Sequence, residues 1–167
     1  MNIVLIGMPG CGKSTVGVVL AKNLAMDFID SDLLIQREAG KRLSDIIEAC
    51  GDDGFREIEN RVNSGIQAEY SVIATGGSVI YGEEAMAHLK SIGTVIYLKL
   101  SYEQIEERLG NLHARGVSIR EGQTLRDLYN ERCPLYERWA DMTVACDGKR
   151  LREVVLYITG KLTGEGT

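Results

Sequence analysis

Long apolar runs are missing from this 167-residue chain, so neither a signal peptide nor a membrane-spanning helix is expected. Basic charge is in the minority, with 19 Lys and Arg against 24 Asp and Glu and a formal net charge of -5. Surfaces that grip nucleic acid or anionic membranes need clustered Lys and Arg, and here these residues are scattered, so no partner of either kind is expected. The four cysteines, Cys11, Cys50, Cys133 and Cys146, show no C-x-x-C spacing, which argues against a zinc site and leaves reduced thiols as the expectation. The only histidines, His88 and His113, also lack metal-ligand spacing and are expected at the surface. A cytoplasmic location follows as an expectation.

What the chain does have is an ordinary globular make-up, 44% hydrophobic, enough for one domain over residues 1–167. Five short β-branched runs, Ile3 to Ile6, Phe28 to Asp30, Val72 to Thr75, Thr94 to Leu100 and Met142 to Cys146, alternate with longer amphipathic stretches. That alternation predicts crossover units around a parallel sheet, an α/β fold with helices on both faces in three α/β/α layers. Phe55, Ile58, Val62 and Ile66 recur at helical spacing and predict one buried stripe, with Arg56 and Glu59 on a neighbouring face. Ser101 with Gln104, and Thr124 with Asp127, predict helix starts near 102 and 125, and Pro134 predicts an end or kink just after Arg132. Residues 110–123 lack steady periodicity and carry three glycines, which predicts a flexible excursion; the last four residues are expected to fray.

Directly behind the first strand run stands G-M-P-G-C-G-K-S-T, Gly7 to Thr15, which fits G-x-x-x-x-G-K-[ST] at every fixed position. Its glycines let successive backbone N–H groups turn inward around an oxyanion, and the helix that follows, from Lys13 to about Ala25, adds partial positive charge. The natural guest is a triphosphate, with Gly10, Cys11, Gly12, Lys13, Ser14 and Thr15 as its contacts. Lys13 reaches the β- and γ-phosphates, and the Ser14 hydroxyl is a Mg²⁺ ligand. The chain has no D-x-x-G and no N-K-x-D, which disfavours a GTPase switch, and the third strand run ends in Thr75-Gly76-Gly77 with no carboxylate for the metal. Carboxylates come instead at the end of the second, where Asp30 is suited to the metal and Asp32 to a substrate hydroxyl. The plainer alternative is that Asp30 or Ser31 caps the next helix, and for Ser31 that is the expectation.

Taken together, these residues resemble the shikimate kinase family, small P-loop enzymes related in fold to nucleoside monophosphate kinases. The resemblance runs from Ile3 to about Ile158 and adds D-S-D at Asp30 to Asp32, F-R-E-I-E at Phe55 to Glu59, T-G-G-S at Thr75 to Ser78, and E-R-C-P-L-Y-E at Glu131 to Glu137. It implies a sheet order of 2-3-1-4-5, a metal-associated Asp30, and an Asp32 that binds the hydroxyls of a cyclic substrate. Arg56 and Arg132 become a carboxylate clamp, Gly76 and Gly77 a turn beside the substrate, Arg108 an adenine-side contact, and Arg115 the phosphate-directed arginine of a lid over about 110–123. Two departures stand out. Ser78 replaces the family's third glycine, and the usual R-P-L-L at the lid arginine reads Arg115-Gly116-Val117-Ser118, so that Arg120 competes for the lid role.

A small anionic polyol needs a guanidinium fork for its carboxylate and an acceptor for its reacting hydroxyl, both fixed beside the γ-phosphate, and Arg56, Arg132 and Asp32 supply that set. The expected activity is therefore transfer of the γ-phosphoryl group from MgATP to the 3-hydroxyl of shikimate, by a monomer, with Lys13, Asp32 and Arg115 as the catalytic groups. Other readings stay open at this point: a gluconate-like acid or a nucleoside monophosphate as acceptor, or an ATP-binding sensor without transfer. Plainer roles also stay open for three arginines. These are a helix-surface pair with Glu59 or Asn60 for Arg56, compensation of a helix C-terminal dipole for Arg132, and a solvated helix face for Arg108.

Overall fold

The computed structural model describes residues 1–109, 117 and 119–165. Five parallel strands, β1 (Asn2–Ile6), β2 (Asp27–Asp30), β3 (Ser71–Ala74), β4 (Gly93–Lys99) and β5 (Met142–Ala145), lie in the order β2-β3-β1-β4-β5. The strands read as unbroken apolar runs because helices cover both faces of the sheet; Val4, Leu5, Ile6, Val72, Ile73, Val95 and Ile96 are all fully buried. Asn2 is the polar exception in the core strand. Its amide donates to the carbonyls of Ala68 at 2.8 Å and Ile92 at 3.0 Å and accepts from the N–H of Ser71 at 2.9 Å, which fixes the start of β1 between its neighbours.

The helices are α1 (Lys13–Leu24), α2 (Ser31–Ala39), α3 (Leu43–Ser64), α4 (Glu83–Ile92), α5 (Tyr102–Arg108), α6 (Leu125–Trp139) and α7 (Leu151–Thr163). From β1 the chain crosses over β3 to reach β2, whereas from β3 it crosses over β1 to reach β4. Right-handed crossovers in opposite directions put α1 and α4 on opposite faces and open a crevice at the carboxyl ends of β1 and β3. The loop of residues 7–12 leaves β1 there, and Thr75-Gly76-Gly77 leaves β3 there.

Of three local expectations, one held and two needed correction. Pro134 lies inside α6 and does not end it: Leu128, Arg132 and Tyr136, four residues apart, are all buried on one side, and that burial outweighs the lost hydrogen bond. The helix starts hold, with a reciprocal capping box at Thr124 and Asp127 (3.0 and 3.1 Å) and the Ser101 Oγ accepting from the N–H of Gln104 at 3.4 Å. In α3 the fully buried line is Phe55, Glu59 and Asn63, with Ile58 and Val62 only half-buried and packed against a small cluster of Ile35, Ile46 and Phe55. Gly51, with φ 72°, breaks α3, so its second half carries Phe55, Arg56 and Glu59.

Candidate active site

The loop behind β1 and the loop behind β3 face each other across one cavity of about 390 Å³. Gly10, Gly12, Lys13, Ser14 and Thr15 line one side, and Asp32, Glu59, Gly77, Ser78 and Arg132 line the other. Gly12 caps α1 in the left-handed region at φ 97°, a conformation that favours glycine and leaves the first N–H groups of α1 facing the cavity end of the helix. Lys13 is buried, and its Nζ donates to the carbonyls of Gly7 at 2.7 Å and Met8 at 3.0 Å. Cys11 turns its side chain into the core beneath the loop, so its backbone alone is available to a phosphate. On the outer side, Arg108 stays exposed, as a solvated helix face requires, and its Nη1 donates to the Gly10 carbonyl at 3.3 Å, which ties α5 to the loop.

Ser14 Oγ donates to Asp30 Oδ2 at 2.8 Å, joining the start of α1 to the end of β2. The other oxygen of Asp30 accepts from the N–H of Asp32 at 3.0 Å and caps α2. Asp30 is thus the cap that Ser31 was expected to be; the Ser31 side chain is buried in the structure and caps nothing. A hydroxyl and a carboxylate this close are hard oxygen donors of the kind a phosphate-bound divalent cation uses, together with water and phosphate oxygens.

Asp32 projects from the first turn of α2, and its Oδ1 is buried without a hydrogen-bond partner among the described residues. Burial, with the Asp30 charge adding and Lys13 opposing, pushes its carboxyl up to about 6. Glu59 is 1% exposed; one oxygen accepts a very short hydrogen bond from Ser78 Oγ, and Oε2 is buried without a partner among the described residues. Burial chiefly pushes Glu59 up to about 7, against the Ser78 hydrogen bond. Gly76 runs between these two acids: a Cβ there would stand 2.5 Å from Glu59 Oε2 and 2.7 Å from Asp32 Oδ1, so any side chain would collide with both. A Cβ on Gly77 would stand 3.1 Å from Arg132 Nη1.

Arg132 is 1% exposed and lies in the body of α6, not at its end, which removes the dipole reading. Arg56 makes no surface pair with Glu59, whose carboxylate is committed inward to Ser78. Arg56 does not line the main cavity; it borders the adjoining concavity beside Asn60 and Tyr81. The two guanidiniums nevertheless meet at one ring, with Cζ of Arg56 3.7 Å and Cζ of Arg132 5.4 Å from the centre of Tyr81. Nε and Nη2 of Arg56 are buried without hydrogen-bond partners among the described residues.

Residues 110–116 and 118 lie outside the described residues, and with them Arg115, His113 and most of the expected lid. Val117 is buried and lines the cavity, whereas Arg120 is exposed beside Asp52 and Asp53. His88 is half-buried rather than a surface residue, with Nε2 2.6 Å from the Ile66 carbonyl. All four cysteines are free. No helix among the described residues is long and apolar enough to cross a membrane.

Sequence reasoning gave Glu59 only a surface pairing with Arg56, read Ser78 only as a replaced glycine beside the substrate, and gave no role to Tyr81; it missed the buried Ser78–Glu59 link. A signal for Glu59 existed, since it stands four residues after the buried Phe55.

The profile that describes shikimate kinase matches residues 9–163. The chain belongs to the shikimate kinase family. It is 42% identical over 162 residues to the shikimate kinase of Pasteurella multocida, covering 94% of this chain and 92% of that one. Among solved structures, the shikimate kinase of Acinetobacter baumannii in complex with shikimate matches with a TM-score of 0.83 at 31% identity, covering 99% of this chain and 94% of that one. That of Aquifex aeolicus matches at 0.82 and 33% identity, covering 99% and 98%. Family membership brings ATP and a divalent metal with it, and a phosphotransferase acting on a hydroxyl group.

Proposed function

We propose that this chain transfers the γ-phosphoryl group of ATP to the 3-hydroxyl of shikimate, a cyclic polyol carrying one carboxylate. The observation that carries the reading is the single cavity shared by the phosphate-binding loop, Asp32 and Arg132. Phosphoryl transfer asks for positioning and charge neutralisation rather than covalent chemistry from the protein, and these residues are of the right kind for both.

Lys13 and the backbone of Gly10 to Thr15 take the nucleotide phosphates, with Arg108 on the adenine side and Arg115 contributing from the lid. Ser14 and Asp30 would hold Mg²⁺, which when bound would supply charge neutralisation to the phosphates. Asp32 orients the 3-hydroxyl and takes its proton. A carboxyl near 6 suits that task, being ionised at neutral pH yet more basic than an exposed aspartate. Arg56 and Arg132 bind the carboxylate, and the buried Nε and Nη2 of Arg56 gain the acceptor they otherwise lack. Gly76 and Gly77 allow the substrate ring to approach the backbone. The reading includes a single-domain monomer in the cytoplasm, acting on small molecules and not on nucleic acid.

Coupled measurement of ADP release with shikimate, gluconate, AMP and CMP as acceptors tests this assignment. Shikimate is expected to be turned over fastest. Absence of shikimate-dependent ADP release at saturating MgATP, or faster turnover of another acceptor, would overturn it.

A further inference from the structure

Two like charges that converge on one spot need something to hold them there before an anion arrives. In this chain that element is an aromatic ring. Tyr81 ends the one-turn helix Val79–Tyr81, which follows Gly76 to Ser78 directly, and its N–H donates to the Ser78 carbonyl at 3.1 Å. Its ring is therefore fixed by the same turn that borders the substrate side of the cavity. The Arg56 guanidinium stacks at 3.7 Å from the ring centre and that of Arg132 lies at 5.4 Å, both within the range where the negative face of an aromatic ring attracts a cation. The Tyr81 hydroxyl donates to Glu131 Oε2 at 2.6 Å, and that oxygen also takes a hydrogen bond from Gln123 Nε2 at 3.3 Å. This link orients the ring from outside.

We propose that Tyr81 is a positioning residue for the acceptor's carboxylate, its ring holding the Arg56 and Arg132 guanidiniums together in the geometry that receives it. The inference rests on the proposed function, since it presumes that these two arginines bind a carboxylate. Tyr81 does not line the cavity shared by the phosphate-binding loop and Asp32 but borders the adjoining concavity with Arg56, so its effect falls on acceptor binding.

The test compares Tyr81→Leu and Tyr81→Phe with the wild type in steady-state assays, using shikimate and its methyl ester, which keeps the ring and hydroxyls but not the negative charge. Tyr81→Leu is expected to raise KM for shikimate about 5- to 30-fold, equivalent to the roughly 1–2 kcal/mol of a partly desolvated guanidinium–ring contact. The kcat and the KM for ATP stay at the wild-type values, and the penalty vanishes with the ester. Tyr81→Phe keeps the ring under both guanidiniums but loses the hydroxyl's bonds to Arg132 and Glu131, and its KM should rise clearly less than that of Tyr81→Leu. An unchanged KM in Tyr81→Leu, an equal penalty with the ester, or a Tyr81→Phe variant as impaired as Tyr81→Leu would each overturn the inference. A wild-type protein that releases no ADP with shikimate would instead overturn the proposed function, so the two failures are distinct.

Discussion

Replacing Glu59 by Gln removes a titrating group while keeping an acceptor oxygen for Ser78. In the folded protein, burial pushes this carboxyl from 4.5 to about 7, with the Ser78 hydrogen bond opposing and the Asp32 charge adding. In the unfolded chain it ionises near its ordinary value. Between the two, folding requires either proton uptake or burial of a charge. A raised carboxyl therefore contributes stability that is fully present below about 4.5 and is lost as the pH rises through about 7. The gap of about 2.5 pH units, at 1.36 kcal/mol each, amounts to about 3 kcal/mol. Roughly 2 to 3 kcal/mol of this falls between about pH 5 and about pH 8. Glu59 is 1% exposed, so solvent screening does not reduce the figure. Urea denaturation of wild type and Glu59→Gln at those two pH values gives a difference of differences in which the other titrating groups cancel to first order. The wild type is expected to lose about 2 to 3 kcal/mol more than the variant on going to the higher pH. Equal losses would refute the reasoning, because a carboxylate that ionises equally well in both states cannot be buried as described.

Arg132→Ala should weaken acceptor use by about 2–5 kcal/mol, read as the shikimate KM, with ATP binding unchanged; an unaltered KM would remove Arg132 from the site. Asp32→Asn should lower kcat by about 10²- to 10⁴-fold, and the acid limb of the wild-type kcat/KM profile should fall near pH 6, set by the raised Asp32 carboxyl. Gly76→Ala forces a Cβ to within 2.7 Å of both Asp32 and Glu59 oxygens. It should cost about 1–3 kcal/mol, visible as a Tm lowered by several degrees in thermal denaturation, as overpacking of a closed site does.

The fold was legible where the chain solves a local problem. All five strands fall within a residue of their expected bounds, since a strand covered on both faces must be apolar throughout and stand between helical patterns. Caps at Ser101 and Thr124 were legible for the same reason. Pro134 misled because the local cost of proline is fixed, whereas the burial of Arg132 and Tyr136 on the same helix depends on what α6 packs against. The nucleotide half of the site was legible from the spacing of Gly7, Gly12, Lys13 and Ser14, as one contiguous loop supplies it. The acceptor half comes from α2, α3, the turn after β3, and α6, and only the resemblance brought Asp32, Arg56, Gly77 and Arg132 together in advance.

The misplaced stripe on α3 follows from what a site-lining helix must do. A search for apolar spacing assumes that the inward face of a helix meets hydrocarbon. The inward face of α3 meets hydrocarbon at Phe55, but at Glu59 it meets Ser78, the Asp32 carboxylate and the Arg132 charge, so the buried line changes chemistry within one turn. Ile58 and Val62 are packed at the flank, and their apolar signal points there instead of at the cavity. Glu59 survives burial because Ser78 donates to it and because it is free to hold a proton near neutrality. A glycine at position 78 would offer no hydroxyl and leave both oxygens of Glu59 without that donor. The serine at the third position of the glycine turn therefore supplies the acid four residues after Phe55 with a donor from a different loop, a pairing that no local spacing in either segment announces.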